Sequence, residues 1–354
     1  MAGRMKTRMQ EIKAMDAKDK RRFWKETLLN NSLYIFIVIA IIYIQIQAPG
    51  FLAPASIINI ISLSAAAMPL ALGVAGTIVL TGTDLSAGRC VGLTACVSAS
   101  LLQMSDYANK MFPNLPEIPI IVVLLAVVAI GAIAGLVNGF SVAKFGLHPF
   151  IVTLATQLIL YGIVLIYLMN GNNNGQAISG LDERYTSFIK GTLFTIGGTA
   201  VPMYVLYGIL LTALMWVIWN KTAFGKNMFA VGSNPEAANV SGVNVNRTIT
   251  GVFVLAGIMY GLSGFIEAAR IGSNSASTGF NYELDGIAAC VIGGVSFVGG
   301  IGKISGIVLG VLILKLIFTG LNFLSVSVNM IYIIKGIIIL VACAIDMRKY
   351  LVRK

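Results

Sequence analysis

The stretch PIIVVLLAVVAIGAIAGLVNGFSVA (119–143) is long, apolar and free of charged side chains. About 20 consecutive apolar residues suffice for a helix to cross the hydrocarbon core of a bilayer. Nine other segments share this character, although 88–104 and 284–298 are short and rich in small residues. The ten predicted spans are 33–48, 57–80, 88–104, 119–143, 148–169, 201–219, 249–270, 284–298, 304–324 and 329–346. The sequence therefore predicts an all-α polytopic membrane protein of about ten transmembrane helices.

The composition of the whole chain agrees with that class. Of the 354 residues, 57% are hydrophobic and only 11% are charged, whereas a soluble domain carries about a quarter charged residues. The formal net charge of +11 would suggest a nucleic-acid partner for a soluble protein. Because Lys and Arg gather on the cytoplasmic side of membrane proteins during insertion, we expect no nucleic-acid binding.

The distribution of Lys and Arg predicts the orientation of the chain. With ten spans and a cytoplasmic N-terminus, nineteen of the 25 basic residues, Arg89 among them, fall on the cytoplasmic side and four fall outside. This excess favours a protein with both termini in the cytoplasm. The predicted organisation is a basic cytoplasmic N-terminal tail (1–32), a transmembrane domain (33–347) and a basic cytoplasmic C-terminus (348–354).

Two polar segments lie outside the predicted spans. We expect that the tail is not a cleaved signal peptide, because its charged part is too long. Met5, Met9 and Ile12 fall at helical spacing, which favours an amphipathic helix on the membrane surface; the alternative is a frayed basic tail that only determines topology. The segment 170–200 contains NGNNNG, and such Asn-Gly runs favour turns, so we expect a surface loop there.

Glycine recurs at every fourth position in two spans and, more briefly, in a third. The residues are Gly131, Gly135 and Gly139 in span 4, Gly302, Gly306 and Gly310 at the beginning of span 9 and just before it, and Gly257 and Gly261 in span 7. Residues four apart share a helix face, so each run forms a groove where another backbone approaches closely. We expect packing inside one bundle, with a seam between two copies as the alternative.

A faint internal likeness links TDLSAGRCVG (83–92) and YELDGIAACVIGG (282–294). Each segment has an acidic residue near its start and continues with small residues. Repeats separated by an odd number of spans are inverted, as in many transporters. Both longer glycine runs lie toward the cytoplasmic side, however, which a simple inversion does not produce.

Catalytic and metal-binding motifs are not apparent in the sequence. The segment GGIGKIS (299–305) resembles a phosphate-binding loop, but Phe297 and Ile304 occupy positions that require Gly and Ser or Thr. The single histidine, His148, precedes a proline at the start of span 5 and is expected in a loop at the membrane interface. The four cysteines form no CxxC pair, so we expect neither a metal site nor a disulfide.

Polar residues at membrane depth are costly and mark functional sites by default. The candidates for a translocation path are Thr83, Asp84, Ser86, Asn138, Glu267, Tyr282 and Asp285. Asp84 has a second interpretation as a helix cap. Glu267 and Arg270 are three residues apart and can pair on one helix face. Lys315 lies within a span, and Lys335 is expected to extend toward the outer interface.

The segment NKTAFGKNMFAVGSNPEAANVSGVNVNRT (220–248) is polar and basic between two apolar spans. We interpret it as a docking surface for a soluble cytoplasmic partner. Within it, residues 234–238 have the pattern of a helix start, with Pro near the first turn and Glu near the positive helix end. Gly242 is expected to end this helix.

Several sequence blocks together resemble a known family. They are ALGVAGTIVLTGTDLSAG (71–88), HPFIVTLAT (148–156), FGKNMFAVGSNPEAANVSGVNV (224–245), EAARIGS (267–273), YELDGIAACVIGGVSFVGGIGKISG (282–306) and YIIKGIIILVACAID (332–346). The chain resembles permease subunits of bacterial sugar-importing ABC transporters, the ribose/galactose/xylose/arabinose group of the branched-chain amino-acid permease family. The likeness covers nearly everything after the tail. The long basic tail and His148 depart from the family pattern.

The resemblance implies the ABC importer permease fold as a homodimer in the bacterial inner membrane, carrying galactose, a methyl galactoside or a related monosaccharide. The implied partners are a cytoplasmic ATPase that binds ATP and Mg, and a periplasmic sugar-binding protein; the chain itself would bind no cofactor and catalyse no reaction. The residues implied to couple it to the ATPase are Phe224, Gly225, Asn234, Pro235, Glu236, Ala237, Ala238 and Gly242. The alternative is a secondary sugar carrier driven by an ion gradient.

Overall fold

The computed structural model describes residues 32–351 and Asp16. The predicted surface helix through Met5, Met9 and Ile12 lies outside the described residues. The helices are α1 (Ser32–Gln47), α2 (Pro54–Val79), α3 (Ala87–Leu101), α4 (Ile120–Phe145), α5 (Pro149–Leu168), α6 (Glu183–Lys190), α7 (Tyr204–Lys221), α8 (Ala223–Ser233), α9 (Pro235–Val240), α10 (Val245–Ile271), α11 (Tyr282–Ile292), α12 (Ile304–Phe323) and α13 (Val328–Leu351). Two strands, β1 (Thr192–Ile196) and β2 (Thr199–Pro202), lie between α6 and α7.

The two strands correct the all-α prediction. They form an antiparallel hairpin in which Thr195 pairs with Ala200. Gly197 and Gly198, both at positive φ, make the turn, as a two-residue hairpin connection requires. The segment 170–200 is mostly exposed, as expected of a surface loop. Its second half, however, is ordered as α6 and this hairpin.

Helix α6 is stabilised at its start by a local charge pair. Asp182 accepts a hydrogen bond from the Arg184 amide at 2.7 Å and is paired with the Arg184 guanidinium. The hydrogen bond from that guanidinium lowers the pKa of Asp182. The pair is solvent-exposed, so it contributes little to stability.

The ten predicted spans all coincide with helices, namely α1 to α5, α7 and α10 to α13. Within the described residues, six of these helices are long and apolar enough to cross a membrane: α2, α4, α5, α7, α10 and α12. The prediction for 284–298 is wrong at its end, because α11 stops at Ile292. Gly294 adopts a φ of +80° there, which turns the chain out of the helix.

Helix ends follow the local sequence. Pro54 and Pro149 occupy the first helical positions of α2 and α5, where the missing N–H costs nothing. The exposed His148 precedes α5, and its ring accepts a hydrogen bond from the Phe150 amide at 3.3 Å. Gly272, at φ +79°, ends α10 in the left-handed conformation common after helices.

The glycine runs pack inside the bundle, as predicted. A Cβ at Gly131 would meet the Gly257 carbonyl, and one at Gly257 would meet the Gly131 carbonyl. The backbones of α4 and α10 are therefore in direct contact. In α12, Gly306 contacts the backbone of Gly293 and Gly310 that of Ala289. These glycine faces are occupied by helices of the same chain, so they do not form a seam between copies.

Helices α2 and α10 lie at the centre and define two ends of the bundle. The N-terminus of α2 lies beside the β1–β2 hairpin, where Pro54 contacts Gly197, and its C-terminus lies beside α8, where Val79 contacts Gly232. We call these the hairpin end and the α9 end. Helix α10 packs on α3 and α4, which follow α2, while α2 packs on α11 and α12, which follow α10. Each of the two central helices therefore packs on the two helices that follow the other one along the chain.

Helices α3 and α11 are too short to span a bilayer. With 15 and 11 residues they measure about 22 Å and about 16 Å at 1.5 Å per residue, against about 30 Å of hydrocarbon. Their N-terminal ends meet inside the bundle, where Gly88 lies against the Glu283 carboxylate and the Gly279 carbonyl. Of the two related segments, 83–92 thus contains the start of α3 and 282–294 covers the whole of α11.

Candidate translocation site and coupling segment

A buried polar network supports the non-helical chain between α2 and α3. Asp84 Oδ1 accepts hydrogen bonds from the Ser86 amide at 3.0 Å and from Ser86 Oγ at 2.6 Å. Asn138 Nδ2 on α4 donates to Ser86 Oγ at 2.9 Å. Tyr260 OH on α10 donates to Asp84 Oδ2 at 3.2 Å. Asp84, Ser86 and Asn138 are each at most 2% exposed, so the network is closed to solvent.

Two threonines on α5 extend this network. Thr156 Oγ1 donates to Asn138 Oδ1 at 2.6 Å. Thr153 Oγ1 donates to the Thr83 carbonyl at 3.0 Å and accepts from the Leu85 amide at 3.1 Å. Irregular backbone is tolerated at membrane depth only where protein satisfies its polar groups. The network provides those partners for residues 83–86.

Four of the seven path candidates therefore belong to this network rather than to the cavity described next: Thr83, Asp84, Ser86 and Asn138. Asp84 has a structural role before α3, but it is not the N-cap: that residue is Ser86, whose side chain makes no capping hydrogen bond, and Asp84 accepts the Ser86 amide. Tyr260, Thr153 and Thr156 were not anticipated from the sequence. Their hydroxyls reach the network because the tertiary structure places α5 and α10 beside residues 83–86.

A cavity of about 90 Å³ lies between α2, α10, α11 and α12. Its α2 wall is apolar and includes Leu63, Leu70 and Ala71. Its other walls carry polar and charged side chains: Ser263, Glu267, Arg270, Tyr282, Asp285 and Lys315. Glu267, Tyr282 and Asp285, the other three path candidates, are thus brought together here. The cavity has room for a few water molecules but is small for a sugar, so passage requires it to widen.

Glu267 is the best-satisfied carboxylate of the cavity. Arg270 Nε and Nη2 donate to its two oxygens, both at 2.6 Å. Tyr282 OH donates to Glu267 Oε1 at 2.6 Å. The predicted pairing of Glu267 with Arg270 is confirmed. Two planar donors and a hydroxyl hold this carboxylate in one orientation.

Asp285 is shared between two lysines. Lys335 Nζ on α13 lies 2.6 Å from Asp285 Oδ1, and Lys315 Nζ on α12 lies 3.8 Å from Oδ2. The expectation that Lys335 extends toward the outer interface is wrong. The carboxylate on α11 holds it inside the bundle instead, because an unpaired charge there would be costly.

Arg89, which the sequence analysis counted on the cytoplasmic side, is packed among helices of the bundle. Its guanidinium stacks over the rings of Tyr161 and Phe280, at 4.2 and 5.1 Å from their centroids. It donates to the Ala276 carbonyl at 2.9 Å. Arg89 therefore connects the start of α3 to α5 and to the chain between α10 and α11.

The coupling segment 220–248 consists of two short helices and the chain around them. Asn234 Oδ1 accepts the Ala237 amide at 3.0 Å and caps α9, and Pro235 is its first helical residue. Gly242, at φ +85°, lies just beyond its end. The expected helix is α9; the preceding helix α8, which contains Phe224 and Gly225, was not expected.

The coupling candidates divide by exposure. Asn234, Pro235, Glu236, Ala237 and Gly242 are exposed, and Ala238 is buried. Phe224 packs on Gly251 of α10, and Gly225 packs on the backbone of Trp219. Phe224 and Gly225 thus attach α8 to its neighbours, while α9 presents an open surface. Val240 on α9 is 89% exposed and was not among the candidates.

Backbone contacts join α8 to the transmembrane helices. A Cβ at Gly232 would meet the Val79 carbonyl at the end of α2, and one at Gly299 would meet the Gly232 carbonyl. The Gly300 amide donates to the Val79 carbonyl at 2.8 Å. The end of α8, the end of α2 and the turn before α12 therefore form a junction with little room for independent motion.

No group of three His, Cys, Asp or Glu side chains suited to a metal ion occurs in the described part of the chain. The site is a polar cavity among membrane helices, next to the two short helices α3 and α11, whose starts meet inside the bundle. This arrangement defines a membrane transport protein. The chain belongs to the family described as branched-chain amino acid transport system / permease component, whose model matches residues 56–343.

Similar proteins include the galactose/methyl galactoside import permease proteins MglC of Haemophilus influenzae and Escherichia coli K12. Each is 45% identical over 340 residues, which cover 96% of this chain and 100% of the relative. The ribose import permease protein RbsC of Bacillus subtilis is 35% identical over 316 residues, covering 89% of this chain and 92% of that protein. No solved structure matches the chain significantly.

Proposed function

We propose that this chain is the membrane-spanning permease subunit of an ATP-driven importer that passes galactose, a methyl galactoside or a related monosaccharide into the cytoplasm. The observation that carries the proposal is the 45% identity over 96% of the chain to permeases named for galactose and methyl galactoside import. The polar cavity between α2, α10, α11 and α12 is the proposed sugar path.

The proposed topology has about ten membrane helices, with both termini in the cytoplasm of a bacterial inner-membrane protein. The α9 end then faces the cytoplasm and the hairpin end the periplasm. Removing Arg89 from the cytoplasmic count, and Arg270 of the cavity wall from the outside count, leaves eighteen basic residues inside against three outside, so the orientation rule still favours this arrangement. The outward faces of α4, α5 and α7 carry exposed apolar side chains suited to lipid.

The proposed partners are a second copy of the chain, a cytoplasmic ATPase and a periplasmic sugar-binding protein. The chain has no phosphate-binding loop pattern, so ATP and Mg belong to the ATPase. That subunit would contact α9. Because α8 is packed against Val79 and Gly299, a displacement of α8 and α9 would pass to α2 and α12, which both line the cavity. The ATPase must contact the two states differently, since otherwise ATP would shift nothing.

The test is sugar uptake into vesicles. Vesicles containing this chain, its ATPase and the loaded binding protein should accumulate galactose only with ATP. A secondary carrier, which the relatives do not support, would accumulate sugar in vesicles that contain this chain alone and an ion gradient. That outcome would overturn the proposal.

Replacing Val240 with glutamate should weaken binding of the ATPase about tenfold, because a charge would replace an apolar contact at an interface. The fold should not change, since the Val240 side chain is almost fully exposed. Titrating the purified ATPase onto the detergent-solubilised permease measures the dissociation constant.

The matched control is Ile196→Glu, which places the same charge on an exposed apolar position of the hairpin. It should leave ATPase binding unchanged, because the hairpin lies at the other end of α2. Equal binding of the two variants to the ATPase would refute the assignment of α9 as the docking surface.

A further inference from the structure

Lys315 is the least constrained charge of the cavity. It lies near the middle of α12, within a span by the sequence prediction, yet its ammonium makes no hydrogen bond to another described residue. Its nearest carboxylate oxygen, Asp285 Oδ2, is 3.8 Å away. An ammonium has three donors, so a group entering the cavity can accept from it without displacing an existing hydrogen bond.

Asp285 is held from the opposite side. Lys335 Nζ lies 2.6 Å from Oδ1, and the same ammonium lies over the rings of Phe318 and Tyr332 at 5.1 and 5.6 Å from their centroids. These contacts fix the carboxylate through one oxygen. The other oxygen, Oδ2, remains directed toward Lys315.

Lys315 Nζ and Asp285 Oδ2 are 3.8 Å apart, which is too far for a direct hydrogen bond. A water placed beside the pair is within hydrogen-bond distance of both atoms and can bridge them. A sugar hydroxyl resembles that water, because it accepts a hydrogen bond with its oxygen and donates one with its hydrogen. Lys315 supplies only donors and Asp285 only acceptors, so the pair matches both properties of a hydroxyl.

We propose that Lys315 and Asp285 form a hydroxyl-binding pair that contacts the monosaccharide during its passage, an inference that rests on the proposed function. Glu267 does not serve this role, because Arg270 and Tyr282 already occupy its oxygens. The opposite wall on α2 is apolar, with Leu70 and Ala71 among its residues. A sugar in the widened cavity would thus face polar groups on one side and a carbon surface on the other.

The test compares wild type, Lys315→Met and Lys315→Gln in vesicles with the ATPase and saturating amounts of binding protein loaded with galactose. Because a hydrogen bond to a charged group is lost, Lys315→Met should lower galactose uptake about tenfold. Stimulated ATP hydrolysis should stay within about twofold of wild type, since the coupling segment is untouched. Lys315→Gln keeps a donor and should retain an intermediate uptake rate. Lys144→Met, which changes an exposed lysine, is the matched control and should behave as wild type.

A second readout uses galactoses that each lack one hydroxyl. The ratio of galactose uptake to analogue uptake should fall in Lys315→Met for one analogue and stay unchanged for the others. The binding protein is the same in both experiments, so its own preference cancels in this comparison. Wild-type uptake by Lys315→Met, or identical ratios for every analogue, would overturn the hydroxyl-binding pair. No ATP-dependent uptake by the wild-type complex would instead overturn the proposed function.

Discussion

Gly257→Val should prevent the chain from folding into a stable bundle. A Cβ at this position would overlap the Gly131 carbonyl and approach the Gly135 amide. Both are backbone atoms of α4, so no side-chain rotation relieves the overlap. Overpacking usually costs 1–3 kcal/mol when side chains can adjust, and we expect more than about 3 kcal/mol here because two helices must separate. The fraction of solubilised protein that elutes as a single folded species in size-exclusion chromatography measures the loss.

Gly162→Val is the matched control. Gly162 lies on α5, and a Cβ there would have no atom within 4 Å. The substitution should therefore leave the folded fraction unchanged or raise it slightly, because Gly is a poorer helix residue than Val. Similar folded fractions for the two variants would show that the contact between α4 and α10 does not hold the bundle together.

Asp84→Ala should be the most destabilising change among the polar candidates. The substitution leaves the Ser86 amide, the Ser86 hydroxyl and the Tyr260 hydroxyl without the acceptor they share. A buried donor without a partner costs about 1–3 kcal/mol, and membrane interiors reduce such values, so we expect a loss of about 2 kcal/mol or more. Thermal unfolding of the purified protein in detergent measures the effect.

Asp84→Asn separates the structural role from a transport role. Asparagine keeps one acceptor oxygen and nearly the same shape, so its destabilisation should be smaller than that of alanine. Uptake per folded molecule should be close to that of wild type, because Asp84 does not line the cavity. Asp106→Ala, at an exposed aspartate, should affect neither property. An Asp84→Asn protein that folds normally but transports nothing would place the carboxylate in the sugar path.

The candidate site was predictable where its contacts are local. Glu267 and Arg270 are three residues apart on one helix, and their pairing follows from helix geometry. Tyr282 joins them only because the chain after Gly272 folds back toward α10. Asp285 and Lys335 are fifty residues apart in the chain, and no local pattern indicates that one neutralises the other. The sequence suggested a polar path through seven residues, and the structure divides these between a closed network and a cavity.

In the coupling segment, too, the sequence predicts what depends on adjacent residues and misses what depends on distant ones. The cap at Asn234 and the end of α9 near Gly242 are properties of a few adjacent residues, so the sequence located that helix. The attachment of α8 to the membrane helices depends on Gly232 meeting Val79 and Gly299, which come from three distant parts of the chain. The family resemblance places Phe224 and Gly225 among the coupling residues, and the structure shows that they face α10 and α7.

The sequence by itself determined the membrane class, the positions of the ten helices that coincide with predicted spans, and the glycine faces that pack inside the bundle. These properties depend on runs of about 20 apolar residues and on spacings of four, which are visible in a single segment. Only the tertiary structure decided that the starts of α3 and α11 meet inside the bundle, that Asp84 is enclosed and bonded by Tyr260 and that Asp285 lies between Lys315 and Lys335. A polar side chain can face water, a ligand or a partner at membrane depth, and which of these it meets depends on segments far away in the chain.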